Sequence, residues 1–415
     1  MLFDYNGSNS SFLQIRHLVL ASNKLRAFPD FLRNQSILYY LDLSNNQIQG
    51  KIPNWILSLK SLNSLDLSGN SLASLEAPLP NSTSTLSSLD LHSNKLQGEV
   101  PNWILSLKSL NSLDLSGNSL ASLEAPLPNS TSALSSLDLH SNKLQGEVPN
   151  WILSLKSLNS LDLSGNSLAS LEAPLPNSTS ALSSLDLHSN KLQGEVPNWI
   201  LSLKSLNSLD LSGNSLASLE APLPNSTSAL SSLDLHSNKL QGEVPNWIFS
   251  LKSLNSLDLS GNSLASLEAP LPNSTSALSS LDLRSNKLQG IHSSYSFLQL
   301  GHLGLASNKL TTFPNFLRNQ SYLTYLDISD NQIQGQIPNW IWSFKLQELN
   351  LSCNSLESLE APLHNSTYVL SKVDLHSNQL QGHFPFFLNT ITFTGPFQNP
   401  YAMQVVLFLI CPIIP

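Results

Sequence analysis

An asparagine returns every 22 to 24 residues along most of this chain. The series is Asn23, Asn46, Asn70, Asn94, Asn118, Asn142, Asn166, Asn190, Asn214, Asn238, Asn262, Asn286, Asn308, Asn331, Asn354 and Asn378. Around nearly every member the text reads L-x-x-L-x-L-x-x-N-x-L, as in Leu86, Leu89, Leu91 and Leu96 about Asn94. Self-similarity at such a period is the mark of a repeat architecture, in which each unit buries its apolar face only by stacking on its neighbours. Leu89 and Leu91 stand two apart and share one side of a short strand; Ser88, Asp90 and His92 share the other. The asparagine sits where the chain leaves the strand, placed to satisfy backbone groups that the turn buries. The expectation is an α/β-type repeat solenoid, right-handed and curved, with a parallel sheet on its concave face. About sixteen strands would span roughly 75 Å before curvature.

Two kinds of unit alternate. One carries L-Q-G-x-[IV]-P, as in "LQGEVPNWI" from Leu96; the other carries "LASLEAPLPNST", as from Leu72. Together they make a 48-residue line that recurs almost unchanged over residues 81–272. Near-copies beginning at Ser11 and Ser296 flank this block. The pattern implies tandem duplication of two-repeat units, which a solenoid tolerates and an enzyme pocket does not. Trp55, Trp103, Trp151, Trp199, Trp247 and Trp340 are expected to pack between neighbouring repeats rather than form a docking stripe.

The motif L-x-x-L-x-L-x-x-N-x-L-x-G-x-[IV]-P resembles the plant-specific class of leucine-rich repeat, hence a leucine-rich-repeat horseshoe. The stretches "FLRNQSILYYLDLSNNQIQGKIPNWI" from Phe31 and "FLRNQSYLTYLDISDNQIQGQIPNWIWS" from Phe316 resemble plant receptor-like proteins of the disease-resistance type. The resemblance covers residues 12–388 and leaves an uncapped segment 1–11 and an apolar, non-repeat tail 389–415. It implies a kinase-less receptor ectodomain at the extracellular side of the plasma membrane. Such a receptor takes a protein or peptide ligand and signals in innate immunity through a co-receptor kinase.

The ends depart from that pattern. "MLFDYNGSNSS" has neither the basic nor the apolar region of a signal peptide. The run Val405–Pro415 is about half the ~20 residues of a membrane helix. The expectation is an internal fragment of an ectodomain. A secreted inhibitor of a pathogen enzyme, or a non-functional gene fragment, stands as the alternative.

Other classes find little support. A net charge of −8 disfavours nucleic acid and acidic lipid. Two cysteines, Cys353 and Cys411, allow one disulfide at most. No phosphate loop, nucleophile elbow or kinase signature occurs, so neither enzyme activity nor a cofactor is expected. His92, His140, His188 and His236 recur two strands apart, about 9.6 Å by strand spacing, too far to share a metal ion. The aspartate ladder from Asp42 to Asp282 places carboxylates ~5 Å apart, so their pKa values should rise by mutual repulsion. A structural part for these aspartates is the first reading, and a track for a basic peptide the second.

Four near-identical lines cannot make one unique pocket, so ligand specificity is expected in the flanks, where strand-face residues vary. On one side these are Arg16, His17, Tyr39, Tyr40 and Asp42. On the other they are His302, Tyr325, Asp327, Asp330, Glu348, Lys372 and His376. Sequons at Asn34, Asn81, Asn129, Asn177, Asn225, Asn273, Asn319 and Asn365 are expected away from the strands, where a glycan fits. Asn350 is the exception, since it replaces a strand-face aspartate.

Overall fold

The computed structural model describes residues 13–75, 84–105, 107–123, 132–171, 180–219, 228–268, 276–291, 298–360 and 370–381. The chain divides into two units, Met1–Leu192 and Gln193–Pro415.

In the first unit eight three-residue strands run parallel: His17–Val19, Tyr40–Asp42, Ser64–Asp66, Ser88–Asp90, Ser112–Asp114, Ser136–Asp138, Ser160–Asp162 and Ser184–Asp186. Each is in register with the next, so that Leu65 faces Leu89 and Asp66 faces Asp90. In the second unit eight more follow: Ser208–Asp210, Ser232–Asp234, Ser256–Asp258, Ser280–Asp282, His302–Gly304, Tyr325–Asp327, Glu348–Asn350 and Lys372–Asp374. The expected parallel-sheet solenoid is therefore observed, with one strand for each ladder asparagine.

The burial alternates as the leucine spacing requires. In Ser88–Asp90 the central Leu89 is 1% exposed while Ser88 and Asp90 are half-exposed, and Leu91 just beyond is fully buried. Each fully buried leucine stabilises the stack by about 1.5–3 kcal/mol relative to an exposed one.

The ladder asparagines behave as expected, and their geometry adds a detail. Asn70 Oδ1 accepts the Ile48 N–H at 3.0 Å, while Nδ2 donates to the carbonyls of Leu43, Leu67 and Ser68 at 3.0–3.1 Å. The Leu67 carbonyl also receives Asn94 Nδ2 at 3.0 Å. Each asparagine thus ties its own turn to the preceding one, and neighbours overlap on shared carbonyls. The residue before the asparagine is held at positive φ, for example Gly69 at 63° and Ser93 at 53°. Glycine adopts that conformation without strain, whereas serine needs the surrounding bonds to hold it there.

Two features were not anticipated. The L-Q-G-x-[IV]-P text builds a second strand in its unit, such as Gln49–Ile52, which pairs in parallel with Ser71–Leu75 across a bulge at Gly50/Lys51. Gly50 opens that bulge at φ 80°. In addition, the glutamine of "FLRNQS" is buried and acts like a second ladder residue. Gln320 Oε1 accepts the Leu300 N–H at 2.9 Å and its Nε2 donates to the Leu298 carbonyl at 2.8 Å. The helical segments are mostly 3-10 turns such as Ile56–Ser58; the single α-helix among the described residues is the four-residue Asn102–Leu105.

The six tryptophans are half-buried. Trp55 meets Phe28 edge-on at 6.4 Å under the Arg33 guanidinium at 4.6 Å; Trp340 meets Phe313 at 6.2 Å with Arg318 at 5.9 Å. Both link residues of adjacent repeats, which is the packing part expected of them.

Candidate functional site

The strand face is built from the two side chains that flank each buried central leucine. Its aspartates first serve the backbone. Asp42 Oδ1 accepts the Ser44 N–H at 2.8 Å, and Asp66 Oδ1 accepts the Ser68 N–H at 2.9 Å and the Ser68 hydroxyl at 2.6 Å. An aspartate reaching the N–H two residues on closes a turn that would otherwise leave a donor unpaired. This explains why aspartate fills the position in nearly every repeat.

The carboxyls of Asp90, Asp138 and Asp234 do lie above their ordinary range. The largest cause is burial, which disfavours the charged form; repulsion by aspartates on adjoining strands adds less, and hydrogen bonds from His92, His140 and His236 oppose both. The expected mutual repulsion is therefore present, but secondary to desolvation. His92 lies with Nδ1 2.8 Å from Asp90 Oδ1. Burial lowers its pKa, but the Asp90 hydrogen bond and charge, with Asp114 and Asp66 beyond, outweigh burial and raise it.

In the first unit the structure brings the expected flank residues together. The Arg16 guanidinium lies 5.6 Å above the Tyr39 ring, and His17 lies 5.9 Å from Tyr39 and 6.3 Å from Tyr40. Arg16, His17 and Tyr39 are exposed and Tyr40 half-buried. Burial, then the charges of Asp42 and Asp66, raise the Tyr40 hydroxyl above its ordinary range, so it remains a hydrogen-bond donor well into alkaline solution.

The second unit carries a denser group. His302 and Tyr325 lie in register on adjacent strands and stack at 4.0 Å with ring planes 2° apart. Burial is the main cause of the lowered His302 pKa and the raised Tyr325 pKa. Asp327 is buried, and its Oδ1 accepts the Ser329 N–H and hydroxyl at 3.0 and 2.6 Å, so it is committed to the turn. Asp330 is exposed, in the positive-φ position of the same turn. Glu348 and Lys372 face each other on adjacent strands at 3.7 Å, both substantially exposed. His376 Nδ1 lies 2.6 Å from Asp374 Oδ1, and His376 Nε2 lies 3.6 Å from the exposed Cys353 Sγ.

Three members of this group were overlooked in the sequence. Arg284 Nη2 pairs with Asp282 Oδ2 at 2.6 Å, with Nε 2.8 Å from the same oxygen. Gly304 stands in register with Asp282, where most other strands carry aspartate. A Cβ on Gly304 would lie 2.7 Å from Asp282 Oδ1, so the missing side chain makes room for the ion pair. The signal was available: "LDLHSNKL" becomes "LDLRSNKL" once, in the repeat before "HLGLASNKL". Cys353 was weighed only as a partner for Cys411, which lies outside the described residues; its contact with His376 comes from the next repeat.

Of the expected sequons, Asn34 and Asn319 are exposed at the ends of the 3-10 helices Asp30–Asn34 and Asn315–Asn319, away from the strands. Asn81, Asn129, Asn177, Asn225, Asn273 and Asn365 lie outside the described residues. Asn350 is half-buried and its Oδ1 accepts the Ser352 N–H and hydroxyl at 3.1 and 2.7 Å, as an aspartate would.

No helix among the described residues is long and apolar enough to cross a membrane.

Two family models, both described as leucine-rich repeat, match the chain. One matches residues 14–72, 156–216 and 206–264; the other matches residues 85–107, 133–155 and 322–344. Receptor-like protein 47 of Arabidopsis thaliana is 46% identical over 87 residues, 20% of this chain and 11% of that protein. Receptor-like protein 49 of the same plant is 38% identical over 108 residues, 25% of this chain and 13% of that protein. The chain's match thus spans little more than a tenth of these relatives' length. Among solved structures, the plant peptide hormone receptor RGFR1 in complex with RGF2 aligns with a TM-score of 0.68 at 28% identity, covering 88% of this chain and 59% of that one. The Arabidopsis receptor kinase HAESA, in complex with the peptide hormone IDA and the co-receptor SERK1, aligns with a TM-score of 0.58 at 26% identity, covering 88% and 70%. With its repeat text, its asparagine ladder and its parallel strand face in agreement, the chain belongs to the leucine-rich-repeat family.

Proposed function

We propose that this chain is the ligand-recognition part of a kinase-less receptor-like protein, held at the extracellular side of the plasma membrane and acting in plant defence. Its strand face takes a protein or peptide ligand, and the complex signals through a co-receptor kinase. The observation that carries this reading is the group on the second unit's strand face. There the repeat text gives way to His302 stacked on Tyr325, beside the Arg284–Asp282 and Lys372–Glu348 pairs. Tyrosine and arginine are the residue types that most often anchor interfaces, because each offers a large contact area and directed polar atoms. Solved relatives described with peptide hormones, one of them also with a co-receptor, support the choice of partner classes. The defence assignment rests on the resemblance of the repeat text to disease-resistance receptors.

The test uses peptides selected from a display library on the immobilised chain. Tyr325→Ala or Tyr40→Ala should weaken the selected binders by ~1 kcal/mol or more, about fivefold. Deleting residues 129–176 removes one whole 48-residue line and rejoins Pro128 to Asn177, which opens the same text as Asn129. Affinity for a short peptide should then barely change. If the deletion abolishes binding while both tyrosine changes are silent, recognition belongs to the duplicated middle and the assignment fails.

A further inference from the structure

The duplicated middle carries a second chemistry that the recognition reading does not use. In the first unit a ring nitrogen of His92 and a carboxylate oxygen from each of Asp90 and Asp114 lie within 4.8 Å of one another, and Asp138, His140 and Asp162 repeat the arrangement. In the second unit Asp234, His236 and Asp258 do the same. The register makes the cluster. The histidine follows its own aspartate by two residues, and the parallel neighbour places a second aspartate directly alongside, Asp90 facing Asp114. Histidine and first aspartate are about two-fifths and one-third exposed, 42% and 32% at His92 and Asp90, so an ion can reach them.

One further copy of the line shows what the position demands. At Arg284 the histidine is replaced by a fixed cation, whose guanidinium grips Asp282 through Nη2 at 2.6 Å and Nε at 2.8 Å. In that same copy the second carboxylate is missing, because Gly304 stands in register with Asp282. One carboxylate with one arginine is neutral. Two carboxylates with a neutral imidazole carry two negative charges, the complement of a divalent cation. The two substitutions occur together in this copy, where the built-in cation and the second carboxylate exclude one another.

We propose that each of these three His/Asp/Asp clusters binds a divalent transition-metal ion of the zinc class, through one imidazole nitrogen and two carboxylate oxygens, with water completing the shell. The donor set selects the metal class, since imidazole suits zinc and its neighbours whereas calcium and magnesium prefer oxygen throughout. The distances permit it. His92 Nδ1 and Asp90 Oδ1 are 2.8 Å apart, a separation that a shared proton spans. Metal bonds of about 2.0–2.2 Å at a tetrahedral angle set the donors ~3.3 Å apart, so the His92–Asp90 pair opens by about half an ångström and the Asp114 oxygen, within 4.8 Å of both, closes by up to about 1.5 Å through rotation of half-exposed side chains. The inference is independent of whether the strand face takes a peptide.

Equilibrium dialysis of the full chain, stripped of metal beforehand, with zinc alone as the probe, counts the sites. His92→Gln should lower the saturating zinc count by one, and the triple change His92→Gln/His140→Gln/His236→Gln by three. His17→Gln, outside the clusters, should leave it unchanged. Circular dichroism must match the unchanged protein, which separates lost ligation from lost fold. Should the triple variant misfold, Asp114→Asn tests the neighbouring-strand ligand alone. It should weaken one site by at least the roughly tenfold that loss of an outer-shell partner costs. An unchanged zinc count in the triple variant, an unaffected site in Asp114→Asn, or no saturable uptake by the unchanged chain at millimolar zinc would overturn the proposal.

Discussion

Replacing Asn308 by alanine tests the ladder most directly, because the surrounding bonds define what is lost. Asn308 is 8% exposed. Its Oδ1 accepts the Leu288 N–H at 3.0 Å, and its Nδ2 donates to the carbonyls of Leu283, Leu305 and Ala306 at 3.0–3.1 Å. Removing four bonds suggests a very large loss, but three of the acceptors keep another donor. The Leu283 carbonyl retains Asn286 Nδ2 at 3.1 Å, Leu305 retains Asn331 Nδ2 at 2.9 Å, and Ala306 retains the Ser285 N–H at 2.9 Å. Only the buried Leu288 N–H is orphaned. One unsatisfied buried donor costs about 1–3 kcal/mol. The weakened carbonyl bonds add about one more, so Asn308→Ala should cost ~2–4 kcal/mol locally. The overlap also predicts coupling. Asn286→Ala with Asn308→Ala leaves the Leu283 carbonyl without either asparagine, so the double change should exceed the sum of the singles by ~1 kcal/mol or more. Because repeat arrays are not reliably two-state, the assay is native-state hydrogen exchange of residues 280–310. Their text differs from that of the duplicated lines, so their peptides can be told apart. The exposed Gln332→Ala serves as the control and should stay within about 0.5 kcal/mol. A loss below ~1 kcal/mol for Asn308→Ala, or strict additivity of the pair, would refute the account.

The stacked pair gives a pH prediction. The His302 pKa is lowered on folding, mainly by burial, so its unfolded form takes up a proton first, near the ordinary value of 6.5. The stabilisation is therefore complete above that value and declines as pH falls toward the folded pKa. His302→Phe keeps a ring on Tyr325 and removes the titration, so its stability relative to the unchanged chain should rise between pH 7.5 and 5, read by thermal unfolding; a flat or falling difference contradicts this. Gly304→Ala should cost ~1–3 kcal/mol by pushing Asp282 off Arg284, because the new Cβ meets Asp282 Oδ1 at 2.7 Å. Gly301→Ala, whose nearest contact is 3.7 Å, should cost far less in the same denaturation experiment. Expressed through a plant secretory pathway, the chain should carry glycans at the exposed Asn34 and Asn319, detected as mass shifts lost on enzymatic deglycosylation.

Much of the fold was legible because its rule is local and repeated. The leucine spacing alone assigns Leu89 and Leu91 to the core, and the recurring asparagine marks each turn. The second strand of the L-Q-G-x-[IV]-P unit was not legible: Gln49 and Lys51 are exposed polar residues without the apolar alternation that announces a strand. Its pairing with Ser71–Leu75 comes from the neighbouring turn. The buried glutamines Gln35 and Gln320 were hidden for the same reason, since polar text reads as surface until its partners are known.

The candidate site divides along that line. Choosing the flanks over the middle needed only the sequence, because duplicated text offers the same side chains repeatedly. Which residues act together depended on register. Histidine compared with histidine lies two strands apart, yet Asp114 on the adjoining strand completes a donor set with Asp90 and His92. Gly304 reads as an unremarkable small residue until it faces Asp282, and Cys353 as one of two cysteines until His376 arrives from the following repeat. A period in sequence determines which residues are buried, because burial in a stack depends on a residue's place within its own repeat. Contact between side chains depends on what the adjacent repeat sets alongside, and only the tertiary stacking decides that.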